Sequence, residues 1–143
     1  MQIESGTVLS PEDEELREIY AHFGLAIYLA QVLEHGLANA LVTVLLMPRS
    51  AQQRLTRAQW LEAFEGFMGS KFQSTLGRLI GELRTTTPVS SNLEALLAEA
   101  LSRRNWLAHH YFRERAEALV TSSGRATMLA ELRGAQELFV EAE

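Results

Sequence analysis

Three observations predict an all-α fold. Apolar residues recur every three or four positions through almost every segment, no run alternates apolar and polar residues between turn signals, and the periodic segments are separated by short clusters of Ser, Thr, Gly and Pro. Helices joined by such short connections pack antiparallel, so the expected architecture is a bundle of four to five helices. The 143 residues, 47% of them hydrophobic, suit one domain over 1–143 whose core needs no covalent support.

The first helix is expected to begin near Pro11. Ser10-Pro11-Glu12-Asp13 combines a capping hydroxyl, a proline at the first helical position and acids at the positive end of the helix dipole. Leu16, Ile19, Phe23, Ala26, Ile27, Ala30, Leu33, Leu37, Leu41 and Val44 keep helical spacing up to Pro48, a length of roughly 50 Å, with Gly24 and Gly36 as the points where it would bend. The acidic run Glu12 to Glu15 reads as a solvated helix start. A second helix after Thr56 carries Trp60, Leu61, Phe64 and Phe67, and Gly69-Ser70 is the expected break before a third around Phe72, Leu76, Leu79, Ile80 and Leu83. Thr85-Thr86-Thr87-Pro88 ends that helix, and Ser91-Asn92-Leu93-Glu94 has capping-box spacing for the fourth. Thr121-Ser122-Ser123-Gly124 forms the last turn, after which Met128, Leu129, Leu132, Leu138 and Phe139 mark the C-terminal helix.

Composition narrows the chemistry. The absence of cysteine excludes disulfides, thiolate metal sites and a cysteine nucleophile, and it fits a reducing compartment, so the cytoplasm is the expected location. Met1 to Ser10 has no basic start followed by an apolar run, so no secretory leader is expected. Leu25 to Met47 approaches the length of a membrane span, yet Gln31, Glu34, His35 and Asn39 interrupt it at a cost in hydrocarbon that favours a buried helix, and no membrane contact is expected. A net charge of −5 argues against coating nucleic acid through a broad basic face. There is no Gly-rich phosphate loop and no G-x-S-x-G, and His22 and His35 lie 13 residues apart without the paired spacing of a dedicated site. No cofactor and no metal are expected.

Positive charge does gather at one place: Arg103, Arg104, Arg113 and Arg115 supply four of the 13 basic residues within a 13-residue window. At about 100° per residue, Leu93, Leu96, Leu97, Ala100, Leu101, Leu107 and Ala108 form one apolar stripe, and Arg104 falls in its middle. A guanidinium there is costly to desolvate, so Arg104 requires an acidic partner, a polar cavity or an interface. Asn105, His109 and Phe112 lie together at one edge of the stripe, Tyr111 returns to the Arg104 side, and Trp106 and His110 point away. On the first helix Glu34 sits inside the apolar arc between Ala30, Leu37 and Leu41, which makes it a candidate partner for Arg104. Two readings of that pair stay open: an ion pair that explains both charges by architecture, or a carboxylate that lines a cleft and orients Arg104 or His109.

Arg104, Asn105 and His109 resemble the R-x(4–6)-H signature of the HEPN superfamily of small helical domains, in which a polar residue often follows the arginine. Tyr111 extends the match to R-x-x-x-x-H-x-Y, which is similar to the HepT toxins of HEPN/nucleotidyltransferase toxin–antitoxin pairs. The resemblance implies a homodimer in which the motif helices meet, a composite cleft, and metal-independent endoribonuclease activity of a toxin or phage-defence kind in catalytic members. RNA and a nucleotidyltransferase antitoxin would be the partners. His109 would then exchange the proton of a ribose 2′-hydroxyl or leaving oxygen, and Arg104 would stabilise the nonbridging phosphate oxygens. Asn105 would orient the substrate or the imidazole. Tyr111 would be either the residue adenylylated by the partner or a packing residue. Two other readings stand beside this one: an inactive HEPN-like binding or regulatory module with Arg104 paired to Glu34, and an unrelated helical interaction bundle.

Overall fold

The computed structural model describes residues 8–143; most of the segment read above for a secretory leader lies outside them. Among the described residues every regular element is helical: α1 (Pro11–Leu41), a π turn (Val42–Leu46), α2 (Met47–Gln53), α3 (Arg57–Phe72), α4 (Leu76–Thr86), α5 (Ser91–His109), α6 (Tyr111–Glu114), α7 (Ala116–Leu119) and α8 (Ser122–Ala142). The all-α expectation is met.

Ser10 caps α1 as its sequence indicates, accepting from the Asp13 amide at 3.1 Å. The helix does not stop at Pro48. A π turn at Val42–Leu46 carries it into α2 and on to Gln53, where Arg54 closes it in the left-handed conformation at φ 51°. The wide turn reroutes the carbonyls just before a proline whose ring would clash with them in an α-helix, so the irregularity falls there and not at Gly24 or Gly36.

Two more boundaries move. α3 runs through Gly69-Ser70 to Phe72, and the break lies at Gln73–Thr75, where Thr75 accepts from the Arg78 amide at 3.3 Å and starts α4. Ser90, not Ser91, caps α5 by accepting from the Leu93 amide at 3.2 Å, which leaves Glu94 to pair with Arg84 at 2.5 Å instead of closing a capping box. Thr121 caps α8 through the Gly124 amide at 3.0 Å. Gly124 is therefore a first-turn helical residue, and a glycine is required: a Cβ there would lie 2.1 Å from the Ala118 carbonyl oxygen.

The core is the seam where α1 lies along α8, with α4 and α5 flanking it. Ile19, Ala26, Ala30, Leu33 and Leu41 of α1 meet Met128, Leu132, Ala135 and Phe139 of α8 in one buried cluster. Alanines at the contact let the two helix axes approach closely, and the facing leucines fill the remaining volume. A smaller cluster of Ala38, Val42, Leu46 and Met68, with Trp60 and Phe64 packed on it, attaches α3 to the far end of the long helix.

Pro11–Gln53 is long and apolar enough, by length and composition alone, to cross a membrane, and 39% of its most apolar window is buried inside the molecule. Part of its outward face is apolar, with Tyr20, Leu25 and Tyr28 all exposed and the Tyr20 ring 5.9 Å from that of Phe112.

Candidate functional site

Arg104, Asn105 and His109 occupy the last turns of α5, which ends at His109. His110 leaves helical geometry (φ −130°, ψ −19°), and Tyr111 opens the separate short helix α6. The motif therefore does not lie on two unbroken helical turns, and the expectation that Tyr111 shares one half of a helix with the other polar groups is corrected by this break. Leu93 and Ala108, read as stripe residues, are exposed; Leu97, Ala100 and Leu107 form its buried line.

Arg104 sits at the α1 side of that line, with 31% of its side chain accessible. Its Nε lies 3.6 Å from Glu34 Oε1, and its Nη1 donates to Asn105 Oδ1 at 3.1 Å. The carboxylate expected from the wheel of α1 is thus beside the arginine, while the guanidinium keeps donors turned to solvent. Desolvation raises the Glu34 carboxyl above its ordinary value, and the Arg104 charge only partly opposes it. Asn105 gives its carbonyl oxygen to Arg104 and has no hydrogen bond to the His109 imidazole among the described residues.

His109 is exposed, and no hydrogen bond joins its ring to Arg104 or Asn105 among the described residues. Its main-chain carbonyl accepts from Arg113 Nη2 at 3.4 Å, and the same guanidinium reaches His110 Nδ1 at 3.4 Å. His109 follows Arg104 by five positions, about 140° around the helix, so within one chain they flank the end of α5 instead of converging on a point.

Tyr111 is a core residue at 1% exposure. Its hydroxyl donates to the Met128 carbonyl at 3.2 Å, and its ring stacks on Phe23 (6.0 Å) and meets Trp106 edge-on (4.9 Å). Burial, with the Glu131 charge added, pushes its phenol well above the ordinary range, against the weaker pull of Arg115. In this conformation the hydroxyl is closed to an adenylylating enzyme, so of the two readings of Tyr111 the geometry favours packing.

Within the basic window one arginine besides Arg104 has a carboxylate partner among the described residues. Arg115 grips both Glu131 carboxylate oxygens at 3.0 Å and covers one side of the Trp106 ring, Arg103 lies 5.7 Å from the ring centroid, and Trp106 Nε1 donates to Glu114 at 2.5 Å. The acidic run at the start of α1 is not simply solvated. Glu15 binds Arg125 Nε, and Glu12 lies 3.7 Å from Arg125 Nη1, which also donates to the Leu119 carbonyl at 3.0 Å.

Arg125 was legible in principle, since it precedes Met128, Leu132, Ala135 and Phe139 on the same face of α8 and is as anomalous there as Arg104 is on α5. His22 pairs with Glu18 at 3.4 Å and takes Gln136 on its other side, a link between α1 and α8. Among the described residues no group of three or more His, Asp or Glu side chains is placed to hold a metal ion. No family model, curated protein or solved structure matches this chain.

Proposed function

We propose that this chain is a metal-independent endoribonuclease of the HEPN kind, possessing one helical domain that works as a homodimer joined through the motif helices of an antiparallel bundle. The observation that carries the reading is the end of α5, where a guanidinium flanked by Glu34 and Asn105 and a solvent-reachable imidazole stand on different sides of the same last turns. Nothing in the core requires a histidine or an asparagine at these exposed positions.

His109 takes the proton of a ribose 2′-hydroxyl and returns one to the departing 5′-oxygen, while Arg104 offers its outward N–H donors to the nonbridging oxygens as charge builds on them. Because the two residues diverge around α5, a second motif facing the first is what brings an arginine and a histidine onto one phosphate. The exposed Tyr20, Leu25 and Tyr28 on the outward face of α1 supply apolar surface for such a contact. RNA is the substrate in this reading, a cytoplasmic toxin or defence effector its setting, and a nucleotidyltransferase its antitoxin. Tyr111 is a structural residue.

The ion pair itself favours a second reading, a catalytically inactive binding module in which Glu34 holds Arg104 for architecture alone. Cleavage of a mixed RNA pool with chelator present separates the two. Wild-type protein is expected to leave 2′,3′-cyclic phosphate ends, and His109→Ala to cut about 10²–10⁴-fold more slowly with an unchanged circular dichroism spectrum. Wild-type dimer that cuts nothing, or an equally active His109→Ala, would sink the nuclease reading.

A further inference from the structure

Glu34 has a second neighbourhood. Together with Gln31, His35, Lys71, Phe72 and Ser74 it lines a recess of about 270 Å³ between α1 and the α3–α4 corner, backed by buried Leu79. Phe72 is 58% exposed, and its ring lies 5.1 Å from the His35 ring, tilted by 35°. Lys71 brings no spare positive charge to the recess, because its ammonium pairs with Glu82 and lies 4.9 Å from the Phe67 ring centroid. Glu34 accepts no hydrogen bond among the described residues, and its nearest cation, at 3.6 Å, is beyond hydrogen-bonding distance. A half-buried carboxylate with empty acceptor positions thus faces a space bordered by an exposed aromatic ring.

Those features select the ligand. The lining of the recess itself holds this carboxylate and no free cation, a setting that repels phosphate but accepts N–H groups readily, and an exposed ring offers a stacking surface to any flat heterocycle. Nucleobases combine a flat face with N–H donors. Among them guanine presents two parallel donors on its Watson–Crick edge, N1–H and the N2 amino group, which complement the two oxygens of one carboxylate. Because Glu34 also touches Arg104, a base held here belongs to a nucleotide next to the phosphate that Arg104 would bind.

We infer that this recess is a nucleobase subsite that takes a guanine flanking the scissile phosphate, stacked on Phe72 and His35 and donating its N1–H and N2 amino group to Glu34. The inference rests on RNA being the substrate but not on turnover. It gives Glu34 two roles, positioning Arg104 and reading the neighbouring base.

Fluorescence anisotropy with short 2′-O-methylated oligouridylates tests it, since these lack the attacking hydroxyl and stay intact. The oligonucleotides carry one central guanine, inosine or adenine; inosine lacks only the N2 amino group. Wild-type protein is expected to bind the guanine oligonucleotide about tenfold more tightly than either of the others. Phe72→Ala, a change at an exposed position, should weaken the guanine complex about tenfold or more. Glu34→Gln should remove the difference between guanine and inosine. Equal binding of all three oligonucleotides by the wild type, or a Phe72→Ala protein that binds guanine as tightly as the wild type, would overturn the subsite. A guanine preference in a protein that cuts no RNA keeps the subsite and removes the nuclease, whereas cleavage without that preference does the reverse.

Discussion

Two arginines, each expected to be unwelcome in a helical core, end up in opposite circumstances. Arg125, at the start of α8, is buried with 7% of its side chain accessible, and it is held by Glu15, Glu12 and the Leu119 carbonyl. Arg104, near the end of α5, is 31% accessible, has one carboxylate at 3.6 Å, and spends one donor on its own neighbour Asn105. Their acidic partners respond in opposite directions. Hydrogen bonding to Arg125 lowers the Glu15 carboxyl below its ordinary value, whereas desolvation raises that of Glu34 despite Arg104. The buried charge is tied to two carboxylates and a carbonyl, whereas the charge at the motif has a single carboxylate beyond hydrogen-bonding distance.

Deleting each arginine is the strongest way to break that contrast. Arg125→Ala removes a buried side chain and leaves the Leu119 carbonyl without its donor, and should cost about 1–3 kcal/mol in urea denaturation. Arg104→Ala, whose pair is partly solvated, should cost no more than about 1 kcal/mol. Equal losses would mean that the motif arginine is a structural charge after all.

Gly124→Ala probes the same end of α8 without touching a charge. Its Cβ would drive into the Ala118 backbone and push away the turn that carries the Leu119 carbonyl, a loss of roughly 1–3 kcal/mol that thermal unfolding would reveal. Tyr111→Phe tests the one buried polar anchor near the motif. It removes a single hydrogen bond to the Met128 carbonyl, about 1 kcal/mol, and RNA cleavage should be unaffected if the phenol only packs.

The smallest effect is also the most specific. Glu34 has a raised carboxyl in the fold, so the native state holds its proton more tightly than the unfolded chain does; its contribution is full below the ordinary value of 4.5 and is lost as pH rises through the folded value. Glu15 is lowered, so its contribution is present above 4.5 and is lost as pH falls through its folded value. Stability measured against pH should therefore diverge between wild type and Glu34→Gln in one direction and between wild type and Glu15→Gln in the other. Parallel curves would erase the distinction between the two pairs.

The sequence by itself determined the helical class, the cap at Ser10 and the helix start after Thr56, and it made Glu34 and Arg104 candidate partners, because each rests on spacing within one helix or on a side chain bonding its own first turn. A wheel can expose a charge on an apolar face, and that is how both members of the pair were legible before any contact was known. Only the tertiary structure decided what distant elements do to one another. The π turn ahead of Pro48, the break at His110 that sends Tyr111 into the core, the Ala118 backbone that demands glycine at 124 and the capture of Arg125 by the first turn of α1 all depend on where a second segment comes to rest. Local periodicity sets which face of a helix is apolar; the depth at which each residue on that face is buried depends on the length and angle of its neighbours, which no single helix encodes.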